Sequence, residues 1–185
     1  VAVDQDDVPV AAISVVNHTP DFAFLGLYIV RPAYRGQGIG LGLWQHAMQH
    51  AGRRTVGLDG VEAQQHNYVA SGFAHAGGTT RFTGAVSGQS DPDIHKAAAA
   101  DIQMVIEKEA AASGVEKPDF LKAWIGPAPT RTTLVCRRDE KLSGACTVRA
   151  CQTGAKIGPL MADDSDVANR LMSHAATLFA GPLTL

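Results

Sequence analysis

The six residues Arg35, Gly36, Gln37, Gly38, Ile39 and Gly40 are the part of this chain best suited to hold a charged ligand. They follow an apolar run, residues 22–30, that reads as a strand. They precede Leu41, Leu43, Trp44, Ala47, Met48 and Ala51, which recur at helical spacing. A strand, a short turn and a glycine-rich loop therefore open onto a helix. Glycines let backbone N–H groups turn toward one point and let a ligand come close. A helix N-terminus adds unpaired N–H groups and a partial positive charge. Together these hold a phosphate or pyrophosphate. Taken alone, the same loop also reads as a tight turn and nothing more.

Two common phosphate motifs are excluded. A Walker loop ends in Gly-Lys-Ser/Thr, whereas Ile39-Gly40-Leu41 stands here. A Rossmann fingerprint needs a third glycine or alanine where this chain has Leu41 or Leu43, and Arg31-Pro32-Ala33-Tyr34 separate the strand from the glycines. Asp59 stands at a ribose-contact distance but does not repair the loop. The seven histidines form no metal-binding pattern; His46 and His50 read as a solvated helix face. The three cysteines, Cys136, Cys146 and Cys151, lack close pairing and point to a reduced, cytoplasmic setting. A net charge of −2 leaves no footprint for nucleic acid or an anionic membrane, and no apolar run reaches the length of a membrane span. At 185 residues, with 45% hydrophobic and 18% charged residues, the chain can bury a real core in one or two domains.

The pattern predicts strands at residues 8–16, 22–30 and 55–58, and helices at 41–50 and 61–71 with Gly72 as C-cap. One or two strands are expected within residues 73–82, broken at Gly77-Gly78. Asp91-Pro92 reads as a helix start, with Ile94, Ala98, Ile102, Val105 and Ile106 as the stripe. A short helix follows at 118–125, then strands at 132–137 and 145–151 joined by a hairpin turn over 139–144. Asp163-Asp164-Ser165 caps a last helix, and a strand begins at Pro182. These elements divide into residues 1–84, a helical connector 85–130, and 131–185.

The loop, with its four-residue spacing from Val30, resembles the acetyl-CoA signature of the GNAT N-acetyltransferase superfamily. A second match is Tyr68-Val69-Ala70-Ser71-Gly72-Phe73, similar to the Tyr-x-x-x-Gly-Phe of that family. The segment Gly158-Pro159-Leu160-Met161-Ala162-Asp163-Asp164, together with Asp119-Phe120-Leu121-x-x-Trp124 and residues 57–68, resembles the YitH-like tandem group. The resemblance implies a mixed α/β (α+β) GNAT acyl-CoA N-acyltransferase fold, a mixed sheet flanked by helices, followed by a second, degenerate GNAT-like unit. It implies a chain cut at both ends, lacking the elements that precede residue 8 and those that close the second unit.

The implied chemistry is N-acetyl transfer from acetyl-CoA, as co-substrate, to a primary amine on a small molecule or peptide. Backbone groups of Tyr28, Ile29 and Val30 would pair with the pantetheine arm. Amides from Gly36 through Gln37, Gly38, Ile39 and Gly40 to Leu41 would hold the pyrophosphate, with Arg35 adding charge. Tyr68 would protonate the departing thiolate; read from the residues alone, it is equally an amphipathic core side chain whose hydroxyl reaches water. Many GNAT enzymes carry a Glu base on the strand before the loop, where this chain has Gly26; Asp59, Glu62 and His66 are the substitutes at hand. The second unit is expected not to bind CoA, because in the loop expected before its helix, residues 158–164, Pro159 has no N–H and Asp163 and Asp164 place carboxylates where a phosphate would lie. No metal is expected, and self-association is. The alternatives to an enzyme are an acyl-CoA-binding or metabolite-sensing module, and a remnant that packs against a partner.

Overall fold

The computed structural model describes residues 1–185, which divide into two compact units, Val1–Thr79 and Thr80–Leu185. No helix in either is long and apolar enough to cross a membrane.

The first unit is a four-stranded sheet in the order β1 (Ala2–Val3), β2 (Pro9–Asn17), β3 (Phe22–Val30), β4 (Thr55–Leu58). β2 and β3 are antiparallel; β4 runs parallel to β3 after the crossover helix α1 (Ile39–Ala51). A short 3-10 turn leads into α2 (Gln65–Ala70), so the helix expected over 61–71 is split in two. Asn17 Nδ2 donates to the His50 carbonyl at 3.0 Å, and Arg54 Nε donates to the Thr19 carbonyl at 2.7 Å. These bonds fix the end of α1 against the β2–β3 turn.

β3 carries a two-for-one bulge. Ser14 faces Gly26 while Ala12 faces Ile29, so Leu27 and Tyr28 together oppose Ile13. Leu27 takes φ +54°, and a bulge absorbs such a conformation. The consequence is a change of parity. Ala23 and Leu25 are buried; two residues per repeat would next place position 27 beside them, but the bulge puts Tyr28 and Val30 there instead. Both approach α1: a Cβ on Gly40 would lie 2.8 Å from the Tyr28 hydroxyl and 3.1 Å from Val30 Cγ2. Leu27 and Ile29 turn to the other face and are exposed.

The second unit is a six-stranded sheet in the order β5-β10-β9-β8-β7-β6. Its members are β5 (Thr83–Gly84), β6 (Ile94–Lys96), β7 (Arg131–Arg138), β8 (Lys141–Ala150), β9 (Ala155–Ala162) and β10 (Leu183–Thr184). The helix α5 (Ser165–Ala176) packs Val167, Leu171 and Ala175 against Leu134, Cys136, Cys146, Val148 and Ile157. On the opposite face α3 (Ala99–Ser113) and α4 (Pro118–Ile125) pack Val105, Ile106, Leu121 and Ile125 against Val135, Ala145 and Met161. Alternation along β7 and β8 makes this two-sided burial possible.

Four local expectations fail. Residues 73–82 form no strand; the short strand that follows, β5, pairs with β10. Asp91-Pro92 does not open a helix, because the Asp91 carboxylate is held by Arg170 at 2.6 and 2.9 Å and Ile94 is buried in β6 opposite Cys136. The helix starts at Ala99, where Asp101 Oδ2 accepts the Ala98 N–H at 2.7 Å. The segment 158–164, expected as the loop before the second unit's helix, lies mostly in strand β9, and the turn between β7 and β8, expected over 139–144, is only Asp139 and Glu140, both at positive φ, as a type I′ turn requires.

Gly144 is where α5 comes down on β8. A Cβ there would lie 2.5 Å from Val167 Cγ1 and 3.0 Å from both Leu171 Cδ1 and the Met161 carbonyl oxygen. The carbonyl cannot swing aside. Gly144→Ala should therefore lower the unit's stability by about 1–3 kcal/mol, read as a lower urea midpoint with unchanged slope. An unchanged midpoint would show that α5 lifts freely.

Candidate active site

β3 and β4 pair only over Phe22–Leu25 and Thr55–Leu58; beyond Leu25 the two strands part. The gap opens into a cleft of about 870 Å³, lined on one side by Leu25 to Val30 and on the other by Leu58, Asp59, Val61, Gln64, Asn67, Tyr68, Ala70 and Ser71. Arg35, Leu41 and Trp44 complete the lining. Every one of these residues lies in the first unit.

At one end of the cleft stands the glycine loop. Gly36 and Gly38 have φ of +73° and +78°, and no atom lies within 4 Å of a Cβ on either, so backbone conformation and not space demands glycine. Gly38 is the N-cap of α1, its carbonyl accepts the Gly42 N–H at 2.9 Å, and no side chain caps the helix. The first turn contains no acidic residue. The leading amides of Ile39, Gly40 and Leu41 thus have neither a side-chain partner nor a negative charge to balance the helix dipole. Gln37 Nε2 is tied back to the Ala33 carbonyl at 2.9 Å. Arg35 is tied as well: its Nε donates to the Val30 carbonyl at 2.9 Å. That bond fixes the guanidinium at the cleft and occupies one of the backbone groups expected to meet a ligand.

At the other end is Tyr68. Its position follows from how α2 stops. The Gly72 N–H donates to the Val69 carbonyl and the Phe73 N–H to the Tyr68 carbonyl, both at 3.0 Å, while Gly72 has φ +91°. This is a Schellman cap, and its usual apolar contact falls between the residues at Tyr68 and Phe73, whose rings meet edge-on at 6.4 Å. The Tyr-x-x-x-Gly-Phe spacing is therefore, in the first place, a helix-ending device. It leaves the Tyr68 hydroxyl without a hydrogen bond, half-buried at the cleft wall.

Of the sequence-derived candidates, Tyr28, Ile29, Val30, Arg35, Leu41 and Tyr68 line one cleft, and Gly36, Gln37, Gly38, Ile39 and Gly40 form the loop and helix start beside it. Among the substitute bases Asp59 lines the cleft; Glu62 and His66 do not. Gly26 also lines it, and a Cβ there would meet only Phe24 Cε1, at 4.0 Å. Burial first, and then the neighbouring Tyr68, push the Tyr28 phenol above its ordinary range, so it stays neutral. Trp44 and Gly60 escaped the sequence reading. Trp44 looked like one more apolar position on a helix, and only its place among Tyr28, Tyr68 and Phe73, at ring distances of 5.4, 6.0 and 5.8 Å, sets it apart.

The second unit repeats the strand–helix–parallel strand order as β9, α5 and β10, with a matching bulge: Gly158 and Pro159 together oppose Thr147. Its helix start is different. Asp164 is the N-cap and accepts the Val167 N–H at 2.8 Å, while Arg138 bridges Asp164 and Asp166 at 2.7 Å each. The Val167 N–H, and then Arg138, hold the Asp164 carboxyl below the usual carboxylate range. A depressed carboxyl stabilises the fold above its unfolded pKa of about 3.9, and that contribution disappears as pH falls through the folded value. Asp164→Asn should therefore lower the urea midpoint at pH 7, and the gap should close as pH drops below about 4. A gap that ignores pH would place its cause outside the charge.

Residues 1–77 match the family described as Acetyltransferase (GNAT) family, and residues 105–185 match Acetyltransferase (GNAT) domain. A protein named Holothin acyltransferase, from a Pseudoalteromonas species, is 34% identical over 172 residues, which are 92% of this chain and 58% of that protein. The chain thus spans little more than half the length of this curated relative. Among solved structures, a putative acetyltransferase from Pyrococcus horikoshii is similar with a TM-score of 0.77 at 22% identity, over 98% of this chain and 61% of the other. A tandem GNAT protein from the clavulanic acid biosynthesis pathway is similar with a TM-score of 0.60 at 15% identity, over 98% and 71%.

Proposed function

We propose that this chain, whose two units of mixed α/β fold each match a GNAT acetyltransferase model, carries in its first unit an N-acetyltransferase using acetyl-CoA and a primary amine. One observation carries the reading: an uncapped, glycine-opened helix start and an unbonded tyrosine hydroxyl stand at a single cleft between parting strands. The pyrophosphate lies against the amides of residues 36–41, and Arg35 adds charge from its tether on Val30. The pantetheine arm runs along Tyr28 and Ile29 as an added strand would.

The amine nitrogen attacks the thioester carbonyl; the C–N bond forms and the C–S bond breaks. Tyr68 gives its proton to the leaving sulfur. The amine's surplus proton passes to water or to Asp59, whose carboxylate lines the cleft. Its motif residues resemble those of the YitH-like tandem group, and the proposal assigns the chain there. The second unit binds no CoA in this reading: Asp164 already satisfies the helix start that a phosphate would need.

The test is thiol release from acetyl-CoA with a panel of amino acids, polyamines, aminoglycosides, lysine peptides and holothin, the last because the curated relative is named for it. Turnover with one class supports the reading. Gly26, where many GNAT enzymes hold their base, favours a second reading as an acyl-CoA-binding or metabolite-sensing module. CoA binding without turnover would establish that one, and absence of CoA binding would remove both.

A further inference from the structure

The Tyr68 hydroxyl has no hydrogen bond to aim it, so its direction rests on how the ring is held. Three contacts hold the ring. The Trp44 indole stacks over it at 6.0 Å with 30° between the planes. Phe73 meets its edge at 6.4 Å. Gly60 lies against its side, so close that a Cβ there would sit 2.8 Å from both Cδ2 and Cε2. Phe73 is bound to the helix stop and moves with it. Trp44 and Gly60 come from other elements, α1 and the turn after β4, and they bear on the ring independently of α2.

Trp44 is itself braced. Tyr28 packs on it at 5.4 Å, with planes 59° apart, and Phe73 meets it edge-on at 5.8 Å. Tyr28 in turn sits against Gly40, where α1 begins. A continuous run of rings therefore leads from the start of α1 to the Tyr68 hydroxyl. Such stacked and edge-on pairs each contribute more than their buried area alone.

We propose that Trp44 and Gly60 are positioning residues: they form a slot that holds the Tyr68 ring so that its hydroxyl points at the leaving sulfur. The proposal rests on Tyr68 being the acid of the proposed acetyl transfer. Proton transfer needs a heavy-atom approach of about 2.6–3.2 Å. A misplacement of about 1 Å costs up to about 100-fold in rate. The slot's effect thus belongs on the chemical step and passes entirely through Tyr68.

That last property separates a positioning role from a merely structural one, through a double-mutant cycle on the full chain. Trp44→Leu should lower kcat about 10- to 100-fold, and Trp44→Phe, which keeps a ring to stack, should recover most of it. Combined with Tyr68→Phe, Trp44→Leu should cost nothing further, because the group it aims is gone. Gly60→Ala should behave in the same way. Should Trp44→Leu fail to fold, as judged by its thermal transition, the Gly60→Ala cycle and Trp44→Phe carry the test. Losses that multiply in the double variants would overturn the slot, as would Trp44→Leu or Gly60→Ala with full kcat. If Tyr68→Phe alone kept full turnover, the acid reading of Tyr68 would fall, and the slot with it. That outcome is distinct from multiplied losses, which leave Tyr68 as the acid and remove only its positioners.

Discussion

Gly38→Asp is expected to weaken CoA binding about 100-fold, measured by calorimetry. The substitution gives α1 what α5 already has, an aspartate N-cap. A carboxylate there takes the free amides for itself and sets a negative charge beside the pyrophosphate. Two unit charges 4 Å apart repel by about 4 kcal/mol at an effective dielectric near 20. Solvent and side-chain movement relieve part of this, and the 100-fold figure corresponds to about 2.7 kcal/mol. The backbone at φ +78° adds a smaller strain, since aspartate tolerates that region better than most residues. Equal affinity in both proteins would move the pyrophosphate elsewhere.

Tyr68→Phe is expected to lower kcat by about 100-fold or more while CoA affinity stays within about twofold. The ring remains in its contacts with Trp44 and Phe73, so the cleft keeps its shape. Only the proton donor is gone, and it matters only as the thiolate forms. The loss therefore falls equally on kcat and kcat/KM. Wild-type turnover would reduce Tyr68 to the helix-capping residue that the Schellman geometry also explains.

The sequence carried the first unit's frame with little loss. The strands at 22–30 and 55–58 and the glycine loop between them were legible because apolar runs and paired glycines leave few alternatives. The cleft candidates were legible for the same reason: loop, strand and Tyr68 sit at fixed distances along one crossover. What escaped were effects of distance in space. Asp91 reads as a helix cap until Arg170, 79 residues away, takes its carboxylate. Residues 158–164 read as a loop because Gly158 and Pro159 break strand propensity, yet those two are the residues of a bulge. Trp44 has the spacing of a core residue, and nothing local says that three aromatic rings, those of Tyr28, Tyr68 and Phe73, will gather on it. Gly60 looks like the end of a strand, and only the neighbouring ring shows what a methyl group would strike.

The bulge at Leu27 imposes a constraint of counting. Ahead of it, odd positions of β3 face inward; after it, even ones do. Leu27 and Ile29 are exposed along the cleft, and whatever side chains stand there, their number is fixed. Deleting one residue there would act as a frameshift within the sheet. Tyr28 and Val30 would change sides, and the polypeptide would enter the glycine loop facing away from the helix it must start. β9 keeps the same tally at Gly158 and Pro159 with entirely different side chains. Two halves whose helices start on different caps, Gly38 in one and Asp164 in the other, still share an integer.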